Sequence, residues 1–156
     1  MVSYTTWFDY KSGFQLKKII MCLYTKQTEP EIAEEDIICY KFYLRNNCKV
    51  LFSPYKGFRA PEIGVVTDTE LGESYEQPEE YSIFNPDFYS FNRVDKGFHS
   101  FKTLEGVKHE ANRFERYYNL VIVKCIIPKG SLYYSGKFRK YKSYCSNSIK
   151  LVKVCA

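Results

Sequence analysis

The residues best suited to chemistry lie in the last part of the chain, where cations alternate with aromatic rings. No acidic side chain follows Glu115, whereas lysine and arginine recur almost to the end of the sequence. Rings can stack on bases and cations can contact phosphates, so this pattern is typical of proteins that bind a nucleotide or a single nucleic-acid strand. The candidate ligand-binding residues of this run are Tyr133, Tyr134, Lys137, Arg139, Lys140 and Lys142.

Two plainer interpretations of the same basic run stay open. The run also fits an exposed hairpin whose tyrosine rings cover a sheet. In addition, every formal charge between residues 60 and 92 is negative, so the acidic stretch 62–87 could neutralise the basic tail within one fold. The net charge of +5 is compatible with either arrangement.

His99 and Ser100, in the short stretch entered through Gly97, form a second group of candidates. Adjacent residues of a strand point to opposite faces, so these two cannot act on each other as base and nucleophile. We therefore keep them only as candidate ligand-binding residues. The other histidine, His109, is distant in sequence, and the two do not form a metal-binding pattern.

The cysteines predict no metal site. Six are present, and no two have the C-x-x-C spacing of a zinc ligand pair. Cys39 and Cys125 lie within apolar runs, where a reduced cysteine behaves as a small hydrophobic residue. No secretory signal precedes them, which favours reduced thiols in the cytoplasm. The even count permits disulfides but does not argue for them.

The sequence also lacks recognisable catalytic and phosphate-binding motifs. Lys56-Gly57 and Lys129-Gly130 are isolated pairs without the glycine-rich approach and the following helix of a phosphate-binding loop. No run approaches the roughly twenty apolar residues that a membrane span needs. We predict a cytoplasmic protein with no catalytic residue, no metal and no cofactor.

The elements that must position these residues follow from apolar patterning. Leu120 to Ile127 is a β-branched run typical of a central strand, and Pro128 ends it because proline has no N–H to donate. Ile37 to Leu44 predicts another strand, and Asn46-Asn47 predicts a turn after it. Thr103 is a suitable N-cap for a helix from Leu104 to about Tyr118.

From these elements we predict a single α+β domain over residues 21–156. A mostly antiparallel, Tyr-rich sheet would pack against one main helix at 104–118, with a long acidic loop over one edge. The first twenty residues show no clear period, and we expect them to form a mobile N-terminal extension. The alternative is a short amphipathic helix at residues 16–23 that docks on the core.

A succession of short motifs resembles a group of small proteins from tailed phages and bacteria. The motifs are Gly97-Phe-His-Ser-Phe101, Ile127-Pro-Lys-Gly-Ser131 and Tyr144-Cys-Ser-Asn-Ser-Ile-Lys-Leu151. The likeness extends over residues 21–154 and implies a phage or bacterial origin, with a host-cytoplasm location if the gene is carried by a phage. It implies no particular activity.

The order of elements is also similar, more distantly, to the ADP-ribosyltransferase-type fold. That likeness implies a Ser or Thr at the middle position of the catalytic set, where Ser100 stands, and a nicotinamide-dinucleotide cleft near His99. At the first position the chain has Tyr40 and Lys41, and no carboxylate follows Glu115 for the third.

We therefore expect a non-catalytic binding protein that acts on a nucleic acid, a nucleotide or an acidic host protein. An ADP-ribosyltransferase-like enzyme, which could be inactive, is the first alternative. A structural or oligomerising module that uses exposed tyrosines is the second.

Overall fold

The computed structural model describes residues 23–53, 59–73, 92–114 and 119–155. Within these ranges the chain forms twelve strands and one helix. The strands are β1 (Leu23–Thr25), β2 (Glu31–Ile32), β3 (Ile37–Arg45), β4 (Leu51–Phe52), β5 (Val66–Asp68), β6 (Gly72–Glu73), β7 (Asn92–Lys96), β8 (Phe98–Phe101), β9 (Asn119–Ile127), β10 (Leu132–Phe138), β11 (Tyr141–Ser146) and β12 (Ser148–Val154), and the helix is α1 (Leu104–Asn112).

The longest strand pair, β3 with β9, lies near the middle of the sheet. All nine residues of each strand are in continuous antiparallel register, from Ile37 opposite Ile127 to Arg45 opposite Asn119. The predicted strands at residues 37–44 and 120–127 are confirmed. Pro128 follows β9 directly, as expected of a residue that cannot continue a ladder.

The sheet is a curled, antiparallel half-barrel. Its strand order is β5-β12-β9-β3-β8-β11-β10-β1-β7-β6, with β2 on β10 and β4 on β3. Strands β5 and β6 lie at opposite ends of this order, yet only residues 69–71 separate them. Laid flat, the ten strands would place their ends roughly 43 Å apart, whereas the four Cα steps from Asp68 to Gly72 reach at most about 15 Å. The short connection therefore requires the sheet to curl.

Helix α1 is capped as predicted but is shorter than predicted. The Thr103 hydroxyl accepts a hydrogen bond from the Gly106 N–H at 3.1 Å, which satisfies one donor of the first turn. The helix ends at Asn112, with Arg113 as its C-cap. Phe114 is still buried beyond the helix end, so the apolar spacing that predicted a longer helix continues past the last helical residue.

The two faces of the sheet have separate apolar clusters. On one face, which we call the helix-covered face, α1 packs on side chains of β3, β8, β9 and β10; this cluster contains Phe42, Phe101, Val107, Ala111, Phe114, Ile122 and Phe138. The other face, which we call the open face, has its own cluster along β3, β9 and β12, formed by Ala33, Cys39, Tyr43, Val121, Val123, Cys125, Ile127, Tyr144, Ile149 and Leu151.

The prediction of an α+β fold, with the sheet packed on one main helix at 104–118, is therefore wrong. The described residues form a mostly β structure with a single short helix. The largest cluster lies on the face that α1 does not cover, where Ala33 and Ala60 of the connections pack with residues of the strands. Within the described ranges, no helix combines the length and hydropathy needed to cross a membrane.

Several predictions fall outside the described residues. These are the N-terminal extension at 1–20, most of the acidic loop at 74–91, and the last part of the predicted helix at 115–118.

Candidate functional site

The basic hairpin places two lysines side by side on the open face. Strands β10 and β11 are joined by a two-residue turn at Arg139 and Lys140, and their register sets Phe138 opposite Tyr141 and Lys137 opposite Lys142. Phe138 and Tyr141 belong to the cluster under α1. Because side chains alternate along a strand, Lys137 and Lys142 project from the opposite, open face.

Neighbouring strands extend these two lysines into a line across the sheet. Tyr24 of β1 is in register with Lys137 on one side and with Arg93 of β7 on the other. Beyond Lys142, the Lys102 N–H donates to the Lys142 carbonyl at 3.0 Å. We call the five residues Arg93, Tyr24, Lys137, Lys142 and Lys102 the cation row. Four strand spacings give it a length of roughly 19 Å.

The three lysines of the cation row are exposed. None of these three lysines forms an ion pair with a carboxylate in the described part of the chain. Like charges directly opposite each other destabilise a strand pair. The fold therefore carries a repulsion at Lys137 and Lys142 that a bound anion would relieve.

Other candidates of the basic run make contacts within the protein. Arg139 Nε lies 3.4 Å from Oε2 of Glu110, a fully buried residue of α1. The Lys140 ammonium lies 5.4 Å from the centroid of the Tyr141 ring. The partner of Arg139, Glu110, lies outside the acidic stretch at 62–87, so that stretch does not provide this ion pair. The described part of that stretch, up to residue 73, provides no ion-pair partner for the basic run.

The predicted tyrosines lie on opposite faces. Tyr134 is buried on the helix-covered face beside Leu23, Val94 and Cys145. Tyr133 is half-buried on the open face, donates its hydroxyl to Glu31 Oε2 at 3.0 Å, and meets Tyr144 edge to face with centroids 5.9 Å apart. Desolvation, with a smaller contribution from Glu31, raises the pKa of Tyr133.

His99 and Ser100 are also separated, as the alternation of a strand predicts. Ring atom Nε2 of buried His99 lies 3.0 Å from the Val94 carbonyl, on the helix-covered face. Ser100 is fully buried on the open face, in register with Tyr144. The structure thus groups Lys137, Lys142, Tyr133 and Ser100 on one face, and places Tyr134 and His99 on the other.

A second polar group lies deeper on the open face, around two cysteines. Cys39 and Cys125 are register partners, the third pair from the Ile37–Ile127 end of the β3–β9 ladder, and both are fully buried. The neighbouring Cys125 thiol lowers the pKa of Cys39, with Ser100 and Lys41 contributing in the same direction against the effect of burial. The interaction with Cys39, together with burial, raises the pKa of Cys125, whose thiol donates a hydrogen bond to the Val123 carbonyl at 3.5 Å.

Sequence reasoning missed three members of the cation row: Arg93, Tyr24 and Lys102. The two-residue turn at 139–140 is a local signal that could have paired Lys137 with Lys142. The other neighbours come from strands far away in sequence, and only the strand order reveals them. In the described residues, no group of three or more His, Cys, Asp or Glu side chains could hold a metal ion.

Comparisons of the chain with protein-family models, with curated proteins and with solved structures gave no match.

Proposed function

We propose that this protein binds single-stranded nucleic acid through the cation row. The observation that carries the proposal is the exposed Lys137–Lys142 pair, in direct register and without a carboxylate partner in the described residues. Phosphates placed over this pair would neutralise both ammonium groups. The attraction would act between the lysines and the phosphate backbone of the nucleic acid, and its strength would depend strongly on salt concentration.

The shape of the cation row suits an extended single strand of nucleic acid. Its members come from neighbouring strands of one sheet, so they lie roughly in a line rather than around a pocket. A phosphate backbone that crosses the strands would meet Lys102, Lys142 and Lys137 in turn. Single-strand binders commonly use such a positively charged track.

Tyr24 provides the aromatic component of this site. It is half-buried and stands in register between Arg93 and Lys137. A base stacked on an aromatic side chain contributes about 1–3 kcal/mol, with little dependence on sequence. Tyr133 is also half-buried on this face, four residues from Lys137 along β10. We therefore expect general single-strand affinity with weak base preference.

The test is fluorescence anisotropy with a labelled single strand of about twelve nucleotides, as DNA and as RNA. Lys137→Ala combined with Lys142→Ala should weaken binding at least tenfold and reduce the salt slope by about 1.4, since each phosphate contact in a single strand contributes about 0.7. Lys108→Ala, an exposed lysine of α1, is the matched control. Equal affinities for the double variant and the control would contradict the proposal.

The ADP-ribosyltransferase-like alternative stays a prediction with its own test. A rise in Tm on adding a nicotinamide dinucleotide, abolished by a substitution at Ser100 in a folded variant, would favour it. No response to the dinucleotide, together with binding of the single strand, would favour the nucleic-acid proposal.

A further inference from the structure

The cysteine pair at the centre of the sheet has the geometry of a disulfide. Cys39 of β3 and Cys125 of β9 are direct register partners. Opposite residues of antiparallel strands have Cα atoms about 4.5–5.5 Å apart, and disulfides join Cα atoms at about 4.4–6.8 Å. Both side chains are fully buried in the same cluster on the open face.

We propose that Cys39 and Cys125 form a redox pair, which closes into a disulfide between the two central strands when the protein meets hydrogen peroxide. This proposal is independent of nucleic-acid binding, because neither cysteine belongs to the cation row.

The chemistry balances with peroxide as the oxidant. The Cys39 sulfur attacks one peroxide oxygen, the O–O bond breaks, and the departing hydroxide takes up a proton to become water. Cys39 is then a sulfenic acid. The Cys125 sulfur attacks the Cys39 sulfur, the S–O bond breaks, and the second oxygen leaves as water with the Cys125 proton. Two thiols lose two electrons and two protons in total, and one peroxide becomes two waters.

The surroundings assign different roles to the two sulfurs. The Cys125 thiol, Ser100 and Lys41 all favour the Cys39 thiolate. The thiolate is the nucleophilic form of cysteine, so Cys39 is the sulfur that peroxide oxidises. Cys125 keeps its proton more firmly, which suits the resolving thiol.

A small oxidant reaches the fully buried pair only through local opening of the structure. Lys41 lies two residues from Cys39 on the same face of β3 and is only partly buried, so the edge of the polar group reaches the surface. Local opening at this edge admits a molecule the size of peroxide without unfolding the sheet.

The other described cysteines lack this arrangement and provide controls. Cys145 is buried, but its register partners are Tyr134 and His99, and its thiol donates to the Lys96 carbonyl at 3.4 Å. Cys48 and Cys155 are exposed and neither stands opposite another cysteine in the described strands. If oxidation merely followed exposure, Cys48 and Cys155 would react first. If it follows the geometry of the pair, Cys39 and Cys125 would react together.

The experiment treats the reduced full chain with a few equivalents of hydrogen peroxide, alkylates the remaining thiols in denaturant, and maps the digested peptides by mass. We expect a cross-linked peptide that joins Cys39 to Cys125, a loss of two hydrogens, a rise in Tm of about 5 °C or more, and reversal by dithiothreitol. Cys125→Ser should instead accumulate a sulfenic acid at Cys39 that dimedone traps. Cys145→Ser and Cys155→Ser should leave the cross-link intact.

The wild-type peptide map decides the matter even if a variant fails to fold. Alkylation of both Cys39 and Cys125 after peroxide treatment, while Cys48 or Cys155 is oxidised, would overturn the proposal. A cross-link from either cysteine to a different partner would also overturn it.

Discussion

Lys137 and Lys142 face each other directly across β10 and β11, on the side of the sheet that α1 does not cover. The turn between them, Arg139 and Lys140, adds two further cations. Nothing in the described residues pairs these two lysines with a carboxylate. The repulsion between Lys137 and Lys142 weakens the hairpin. An anion bound to the open face would offset this repulsion.

Replacing Lys142 by Glu tests this trade between stability and binding. The substitution turns a repulsive cross-strand pair into an attractive one, so the free energy of unfolding should rise by about 0.5 kcal/mol. Affinity for a single strand should fall at least tenfold. Urea unfolding and anisotropy on the same sample measure both. A variant that is less stable, or that binds as well as the wild type, would contradict the assignment.

The Glu110 carboxylate should hold α1 to the β10–β11 turn. It is fully buried and lies 3.1 Å from Arg113 Nη1 and 3.4 Å from Arg139 Nε. Glu110→Gln removes the negative charge that both guanidinium groups face. The loss should be about 1–2 kcal/mol, since charged hydrogen bonds are strong but both arginines are partly in water.

Glu105→Gln is the matched control, because Glu105 is exposed in the first turn of the same helix. Its effect should stay within about 0.5 kcal/mol. Chemical denaturation of the two variants compares them. If both lose the same amount, the buried ion pair does not anchor the hairpin.

Gly136 should be irreplaceable because β1 approaches it closely. A Cβ at this position would lie 2.2 Å from the Tyr24 carbonyl oxygen, so Gly136→Ala must displace β1 and with it one member of the cation row. We expect a loss of at least about 2 kcal/mol together with weaker binding of the single strand.

Gly130→Ala provides the comparison. Gly130 has φ of +86° but open space around it, so alanine should cost about 1–2 kcal/mol through backbone strain alone and leave the affinity unchanged. Anisotropy under conditions where both variants are folded separates the two cases. Normal binding by Gly136→Ala would mean that Tyr24 lies outside the site.

Tyr43 should make the protein sensitive to alkaline pH. Burial raises its pKa well above the ordinary value of about 10. As the pH rises, the unfolded chain ionises this tyrosine first. Stability is therefore unaffected by Tyr43 below about pH 10 and decreases above it, toward the folded-state pKa. Urea unfolding between pH 7 and about 11 should show a smaller alkaline loss for Tyr43→Phe.

At neutral pH the same substitution should cost little, because the buried Tyr43 hydroxyl has no hydrogen-bond partner in the described residues. Tyr133→Phe is the contrast, since it removes a 3.0 Å hydrogen bond to Glu31. A large destabilisation by Tyr43→Phe at pH 7 would show that the hydroxyl is in fact engaged.

Local patterns predicted local structure well. The β-branched run that became β9, the strand that became β3 and the Thr103 cap all depend on neighbours in sequence. The class of fold did not follow from them, because the sheet curls through the short link between β5 and β6, whose pairing partners are distant. The apolar spacing of the helix predicts that the sheet packs mainly against it, but much of the core lies on the other face of the sheet.

The candidate site shows the same division. Alternation along a strand correctly separated His99 from Ser100. The composition of the tail names Lys137 and Lys142 among the candidates, and their role stays a prediction. Composition could not distinguish Arg139, which meets Glu110, from the lysines that lack an ion-pair partner in the described chain. That distinction depends on where α1 docks, which is a tertiary property.

The most direct test of the central claim locates the bound strand. Backbone amide resonances of the isotope-labelled protein would be followed by NMR while an unlabelled single strand of about twelve nucleotides is added. We predict that the shifts concentrate on residues 102, 137 and 142 and on β1, and decline as salt is raised. Shifts confined to the helix-covered face, or no shifts at low salt, would contradict the claim that this row of lysines binds nucleic acid.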